Sequence, residues 1–292
     1  MSTSASTTTH GFPPGIFIIG AAKSGTTSLA NMLEQHPDIC VSSPKEPDFF
    51  TRNQDQGLDW YKNGFNNVTD GMYLVDASTS YTSFSQEMIG SNTPEKIHQS
   101  CPNAKIIYIV RDPVQRTWSS YWHSVRAGEE KRPFLDAIKG QNLHIEGSMY
   151  FQWLERYLSY FDNKNIHVVN FHDFVKDNGK VFNDVLSFLE IENKKTTNTS
   201  THATHKNESF VWNTKGQFIL NAIGIHRIKR INKIVKKILP ESLHSRIKNT
   251  LSSSTPKIST DEGKLLVPIF KDDVVKLKDL TGIDVRVGEW WN

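Results

Sequence analysis

The first long apolar stretch, Ile16-Phe17-Ile18-Ile19, is unbroken rather than alternating, the pattern of a strand buried on both faces of a parallel sheet. A small, polar, glycine-bearing segment follows, Gly20 to Thr27. Then comes Ser28 to His36, where Leu29, Met32 and Leu33 recur at helical spacing before Pro37 ends the run. The same strand, loop and helix order returns at Lys105 to Val110, Arg111-Asp112-Pro113, and Val114 to about Ala127. A third candidate strand, Asn165 to Asn170, follows a helix expected over Ser148 to Phe161. Strands alternating with helices at this pitch predict an α/β fold, a doubly wound and mostly parallel sheet flanked by helices, with ligands at the carboxyl ends of its strands. A site is therefore expected just after Ile19 and just after Val110.

The remaining segments place the boundaries. Residues 1–15 read as a flexible lead-in ending in Pro13-Pro14-Gly15, and residues 16–292 as a single domain with a variable region over 192–250. Within that region Glu192 to Ser209 is polar and reads as a surface loop. Ile225 to Leu239 then sets isoleucines every three or four residues among cations, the pattern of a basic amphipathic helix. Three uses compete for it: a lid over an anionic acceptor, a helix lying on a membrane surface, and a solvated helix. The run holds no Trp or Phe to anchor it in an interface, so membrane contact is the least favoured. Ser252-Ser253-Ser254-Thr255 and the Ser/Thr-rich start are biased segments, and no repeat appears.

Composition narrows the function classes. With 292 residues, 37% of them hydrophobic, the chain can bury a core without staples. Lys plus Arg number 34 against 31 Asp plus Glu, and a net charge of +3 argues against a nucleic-acid binder, so basic chemistry must be local. Cys40 and Cys101 form neither a disulfide framework nor a metal-ligand cluster, which predicts a reducing compartment and no structural metal. The start lacks a charged leader segment, and Ile16–Ile19 is too short to span a bilayer; a cytoplasmic location is expected.

Candidate chemistry lies at the two predicted loops. Gly20-Ala21-Ala22-Lys23-Ser24-Gly25-Thr26-Thr27 joins a buried strand to a helix start, where backbone N–H groups and the positive helix end form an oxyanion cradle, a P-loop-like arrangement. A nucleotide triphosphatase places its lysine after the second glycine. Here Lys23 comes early and Thr26 takes that place, which weighs against a magnesium-dependent kinase, the main rival. A catalytically inactive nucleotide-binding protein is another. In the second loop Arg111 offers a bidentate fork, and Ser119, eight residues on, a short donor, a pair suited to a terminal phosphate monoester. The competing reading pairs Arg111 with Asp112 or another carboxylate.

Lys23-Ser24-Gly25-Thr26-Thr27-Ser28-Leu29, Pro44-Lys45-Glu46-Pro47-Asp48-Phe49-Phe50 and Val110-Arg111-Asp112-Pro113 through Tyr121 together resemble the sulfotransferases that use 3'-phosphoadenosine 5'-phosphosulfate (PAPS), most closely bacterial enzymes related to the heparan sulfate sulfotransferases. Cys101 to Lys105 and Asp272-Asp273-Val274 to Trp290 extend the likeness, which covers 16–190 and 265–292. The resemblance implies transfer of a sulfuryl group from PAPS to a hydroxyl or amine of a carbohydrate or small molecule, without a metal. It gives Lys23 the bridging oxygen of the donor, and Ser24, Gly25, Thr26 and Thr27 the 5'-phosphosulfate. Arg111 and Ser119 would take the 3'-phosphate, with Tyr150 and Lys206 as weaker candidates near the nucleotide. Glu46 is the candidate general base, expected to lie against Phe49-Phe50, whose rings would raise its pKa. A second branch of the family uses histidine, leaving His36, His98, His123 and His144 as alternatives. One departure stands out. Where the glycan enzymes carry Glu-Lys-Ser/Thr-Pro-x-Tyr, this chain reads Asp76-Ala77-Ser78-Thr79-Ser80-Tyr81. Loss of that lysine favours a neutral sugar or small-molecule acceptor over a polyanionic glycan. Trp60, Tyr61 and Trp212 could either stack on such an acceptor or pack internally.

Overall fold

The computed structural model describes residues 11–83, 92–140, 143–194, 210–212 and 252–292. Five strands, β1 (Ile16–Gly20), β2 (Ile39–Val41), β3 (Tyr73–Asp76), β4 (Lys105–Val110) and β5 (Ile166–Asn170), form one sheet in the order β2-β3-β1-β4-β5. All its pairings are parallel, with Ile16 opposite both Val75 and Lys105. The sheet is flanked by α1 (Thr26–Glu34), α2 (Gly57–Lys62), α3 (Thr93–Ser100), α4 (Pro113–Ala127), α5 (Phe134–Ala137), α6 (Leu143–Glu146), α7 (Tyr150–Leu158), α8 (Phe171–Lys176), α9 (Asn178–Leu189) and α10 (Thr260–Thr281).

Side chains alternate across β1 with period two, and both faces are covered, which is why its sequence is apolar throughout. Phe17 and Ile19 join Phe50, Tyr81, Tyr108, Tyr150 and Phe270 on one side. Ile16 and Ile18 join Leu29, Leu33, Val75, Ile109 and Leu189 on the other. The sheet and the helices agree with the sequence reading; β2 and β3 are additional. Three and four residues are too few to display a period; the pairing of β3 with β1, and of β2 with β3, marks them. Ser252–Ser254, which reads as a biased segment, pairs antiparallel as β7 with β6 (Phe210–Trp212). The described end of the lead-in is docked on the body: Gly11 N donates to Met72 O at 3.0 Å and Phe12 packs edge-on against Tyr61. Lys206, most of the 192–209 segment and the basic helix expected over 225–239 lie outside the described residues.

Helix ends carry the caps their residues predict. Asp112 caps α4 through Gln115 N at 2.9 Å, with Pro113 at the first position. Ser259 and Glu262 close a capping box on α10. The same helix buries Leu266, Phe270, Val274 and Leu277, and sends Asp273 to the start of α7, where its carboxylate accepts from Phe151 N and Gln152 N at 3.0 and 3.1 Å. The Asp272-Asp273-Val274 stretch thereby has a structural use: it supplies α7 with a cap that α7's own sequence lacks. Replacing Asp273 by Ala leaves two first-turn donors without this partner and is expected to lower stability by about 2 kcal/mol, checked by urea unfolding, with Asp273→Asn retaining part of the loss.

Candidate active site

The sheet order places the topological switch point between β1 and β4: the chain leaves β1 for β3 and β2 on one side and returns to β4 and β5 on the other. The loops following these two adjacent strands therefore lie side by side. The first turns at Lys23 (φ 72°) and Gly25 (φ 90°), and Gly25 caps α1 without a side chain, so no cap competes for the first-turn N–H groups. A Cβ on Gly25 would meet the Phe171 ring at 3.0 Å, so glycine is required by space as well as by φ.

Two arginines hold this loop by its carbonyls. Arg111 Nη1 donates to Lys23 O at 3.2 Å, and Arg116 Nε donates to Ala22 O at 3.0 Å. Arg116 is buried, and its Nη1 donates to His144 O at 2.9 Å, Leu143 O at 3.3 Å and Ser148 Oγ at 3.4 Å. Arg111 also donates to Gln115 Oε1 at 3.2 Å and stacks over Phe171, 4.9 Å to its centroid. Arg111 is not paired with Asp112, the alternative open from sequence; that carboxylate accepts instead from Gln115 N, Val287 N, Gly288 N and Trp291 Nε1.

Gln115, Ser119 and His123 are spaced i, i+4, i+8 and so form one stripe of α4. Gln115 bonds Arg111, and His123 Nδ1 lies 3.5 Å from Lys23 Nζ, so half-buried Ser119 is held on the stripe between them. Burial is the largest influence on the Lys23 ammonium, followed by the fields of Arg126, Arg116 and Arg111; together they hold its pKa below the ordinary lysine range, while Glu46 opposes them. Burial likewise lowers the pKa values of Arg111 and Arg116. A cluster of cations that repel one another around open helix N–H groups is arranged for a multivalent anion. Ser24 Oγ and Arg111 Nε are buried with no hydrogen-bond partner, two orphaned polar atoms at the same pair of loops. Oxyanions of a phosphorylated nucleotide fit this need.

Glu46 reaches the loop through a relay. Lys45 Nζ donates to Glu46 Oε1 at 2.7 Å and to Thr26 Oγ1 at 3.5 Å, and Thr79 Oγ1 donates to Glu46 Oε2 at 3.1 Å. The carboxylate is exposed, whereas Phe49 and Phe50 are buried in the core around Tyr61, so the expected sleeve of rings around Glu46 is absent. Tyr61 is likewise a core residue, while Trp60 is exposed. Thr27 is exposed, and Tyr150 is fully buried, packed edge-on against Tyr108 with an unpartnered hydroxyl. Of the four histidines, His36 bonds Glu192 O, His98 packs on Phe161 and His144 bonds Ser120; among these four, only His123 contacts Lys23. Gln115 and Arg116 fall within the Val110 to Tyr121 motif, but the sequence reading gives neither of them, nor Arg126, a role. Arg116 carried one signal: it recurs on the Val114, Thr117, Tyr121 face of α4, which is buried.

A model of the sulfotransferase domain matches residues 13–239. The chain belongs to the sulfotransferase family. This sulfotransferase is 28% identical over 191 residues to heparan sulfate glucosamine 3-O-sulfotransferase 6 of Mus musculus, covering 61% of this chain and 53% of that one. It is 31% identical over 202 residues to the human bifunctional heparan sulfate N-deacetylase/N-sulfotransferase 3, covering 61% of this chain and 22% of the relative. It thus spans about half or less of the length of these curated relatives. Its fold matches the crystal structure of a sulfotransferase from Alicyclobacillus acidocaldarius with a TM-score of 0.62 at 22% identity, covering 96% of this chain and 99% of that one. Among the described residues no helix is long and apolar enough to cross a membrane.

At the end of β3, Asp76 is fully buried and accepts from Tyr61, Tyr81 and Ser78 hydroxyls, each at 2.6 Å. Burial dominates over these donors and pushes its pKa up to about 6. The folded state therefore binds this proton more tightly than the unfolded chain, so the stability tied to it is present below about pH 4 and is lost as pH rises to about 6. Asp76→Asn is expected to flatten that part of the stability profile, measured as urea midpoints at pH 4, 5 and 6.

Proposed function

We propose that this sulfotransferase transfers a sulfuryl group from PAPS to a hydroxyl or amine of a carbohydrate or small molecule. The observation that carries the reading is the pair of adjacent loops at β1 and β4, tied by the Arg111 to Lys23 hydrogen bond and flooded with positive field. One loop presents Lys23, Ser24, Gly25, Thr26 and Thr27 to a phosphosulfate; the other presents Arg111 and Ser119 to a second phosphate, with Tyr150 backing Arg111 from the core. Such a pair suits a donor with two separated anionic groups, which PAPS has and ATP lacks. Lys206 would add to the 3'-phosphate contacts.

In the reaction the acceptor oxygen or nitrogen attacks sulfur in line. The bond from sulfur to the bridging phosphate oxygen breaks, and its electron pair leaves with adenosine 3',5'-bisphosphate. Lys23 meets the charge growing on that bridging oxygen, and a depressed pKa makes its ammonium a good proton donor there. Glu46 takes the acceptor's proton, oriented between Lys45 and Thr79. His123, 3.5 Å from Lys23, is the second candidate for that proton. Ala77 is fully buried where the glycan enzymes carry a lysine, so this position offers no cation to the acceptor, which favours a neutral one. The domain assignment extends this reading to residues 16–292 as one catalytic unit.

Calorimetric titration tests the donor: adenosine 3',5'-bisphosphate should bind at least about tenfold more tightly than AMP, with Arg111→Ala erasing the difference. Preference for magnesium ATP would overturn the sulfotransferase reading. In an acceptor screen with PAPS, Glu46→Gln should lower turnover by about 10²- to 10⁴-fold with donor affinity retained; the same loss in His123→Asn instead would move the base to His123.

A further inference from the structure

The buried carboxylate of Asp112 sits beside Arg111, the residue assigned above to the donor's 3'-phosphate. A buried carboxylate needs partners, and its immediate chain neighbour is a guanidinium. Their charges interact, since Asp112 raises the pKa of Arg111. Yet no ion pair joins them. One Asp112 oxygen accepts from Gln115 N at 2.9 Å as the cap of α4. The other accepts from three donors of the C-terminal segment: Val287 N and Gly288 N at 3.2 Å and Trp291 Nε1 at 2.8 Å.

That segment is itself fastened at several points. Asn170, at the end of β5, donates to Asp284 O at 3.2 Å. Val285 is fully buried, and Asp284 accepts from Arg286 and Lys278. The neighbouring Trp290 ring lies against Gly263 of α10 and Gly288, leaving no room for a Cβ at either. Residues 284–291 thus run from the end of β5 to the start of α4.

We infer that the 287–291 segment, through Trp291 Nε1 and the Val287 and Gly288 amides, is a positioning element for the donor site: it saturates Asp112 and so keeps Arg111 free for the 3'-phosphate. Without those three donors, one oxygen of a buried carboxylate is left unsatisfied, and the adjacent guanidinium becomes its nearest cationic partner. Arg111 drawn onto Asp112 is lost to the phosphate and loosens its hold on Lys23 O. Specificity for the 3'-phosphate therefore depends on a segment far from both loops in sequence.

This inference rests on the proposed donor site, and the test separates the two. Wild-type protein, Trp291→Phe, which keeps a ring but removes the N–H, and a form lacking 287–292 are titrated with adenosine 3',5'-bisphosphate and with AMP, and each is melted. Failure of the wild type to prefer the bisphosphate would sink the donor assignment itself. With that preference present, Trp291→Phe should weaken bisphosphate binding about tenfold, the loss of one hydrogen bond to a charged group, and leave AMP binding unchanged. The deletion should weaken it further in the same selective way. Equal weakening of both ligands, or a lowered melting temperature with the preference intact, would assign the segment a purely structural role and overturn the inference.

Discussion

Everything at the strand ends depends on how the backbone after β1 is held open. A loop whose amides are to receive an anion must have its carbonyls turned elsewhere and satisfied elsewhere. Arg116 takes the carbonyl of Ala22 and Arg111 that of Lys23. The two guanidiniums come from β4's end and from α4, so the cradle cannot form until β1 and β4 are paired and α4 is docked. The same contacts concentrate charge: arginines that shape the loop also lower the proton affinity of Lys23. Shape and electrostatics are two consequences of one set of hydrogen bonds.

That arrangement is costly before a ligand arrives. Arg116 is buried with oxygens of carbonyl and hydroxyl groups as its partners, and desolvation presses on its charge as on those of Arg111 and Lys23. Such a site gains from an anion that relieves the repulsion. Carboxylates near it are engaged in other ways: Asp112 with α4 and the C-terminal segment, Asp76 with three hydroxyls. Glu46 is the acid that opposes the field at Lys23 while staying exposed.

The surroundings of Glu46 are built differently. Thr79 stands where the glycan enzymes have proline, and its hydroxyl holds Glu46. Ser78 and Ser80 pass hydrogen bonds to Asp76 and Asp48, and Thr51 joins Ser80 at 2.8 Å. Ser78 and Ser80 are buried, so their hydroxyls fix the two carboxylates from within, and Ala77 beside them is fully buried.

Sequence alone determined the elements that are long and locally patterned. Ile16–Ile19 and Lys105–Val110 announce buried strands, and the spacing of Leu29, Met32 and Leu33 a helix, because each carries its period within one short stretch. The positions of the Gly20 to Thr27 loop and of Arg111 were legible for the same reason: they follow those strands directly. What the tertiary structure decided are contacts between residues far apart in the chain. Only the fold seats Arg116 on Ala22 O, turns Phe49 and Phe50 into the core away from Glu46, and gives Asp112 to Trp291 rather than to Arg111. A chain's pattern encodes which face of an element is apolar; the partner of a buried charge is chosen by which donors the packed elements bring within about 3 Å.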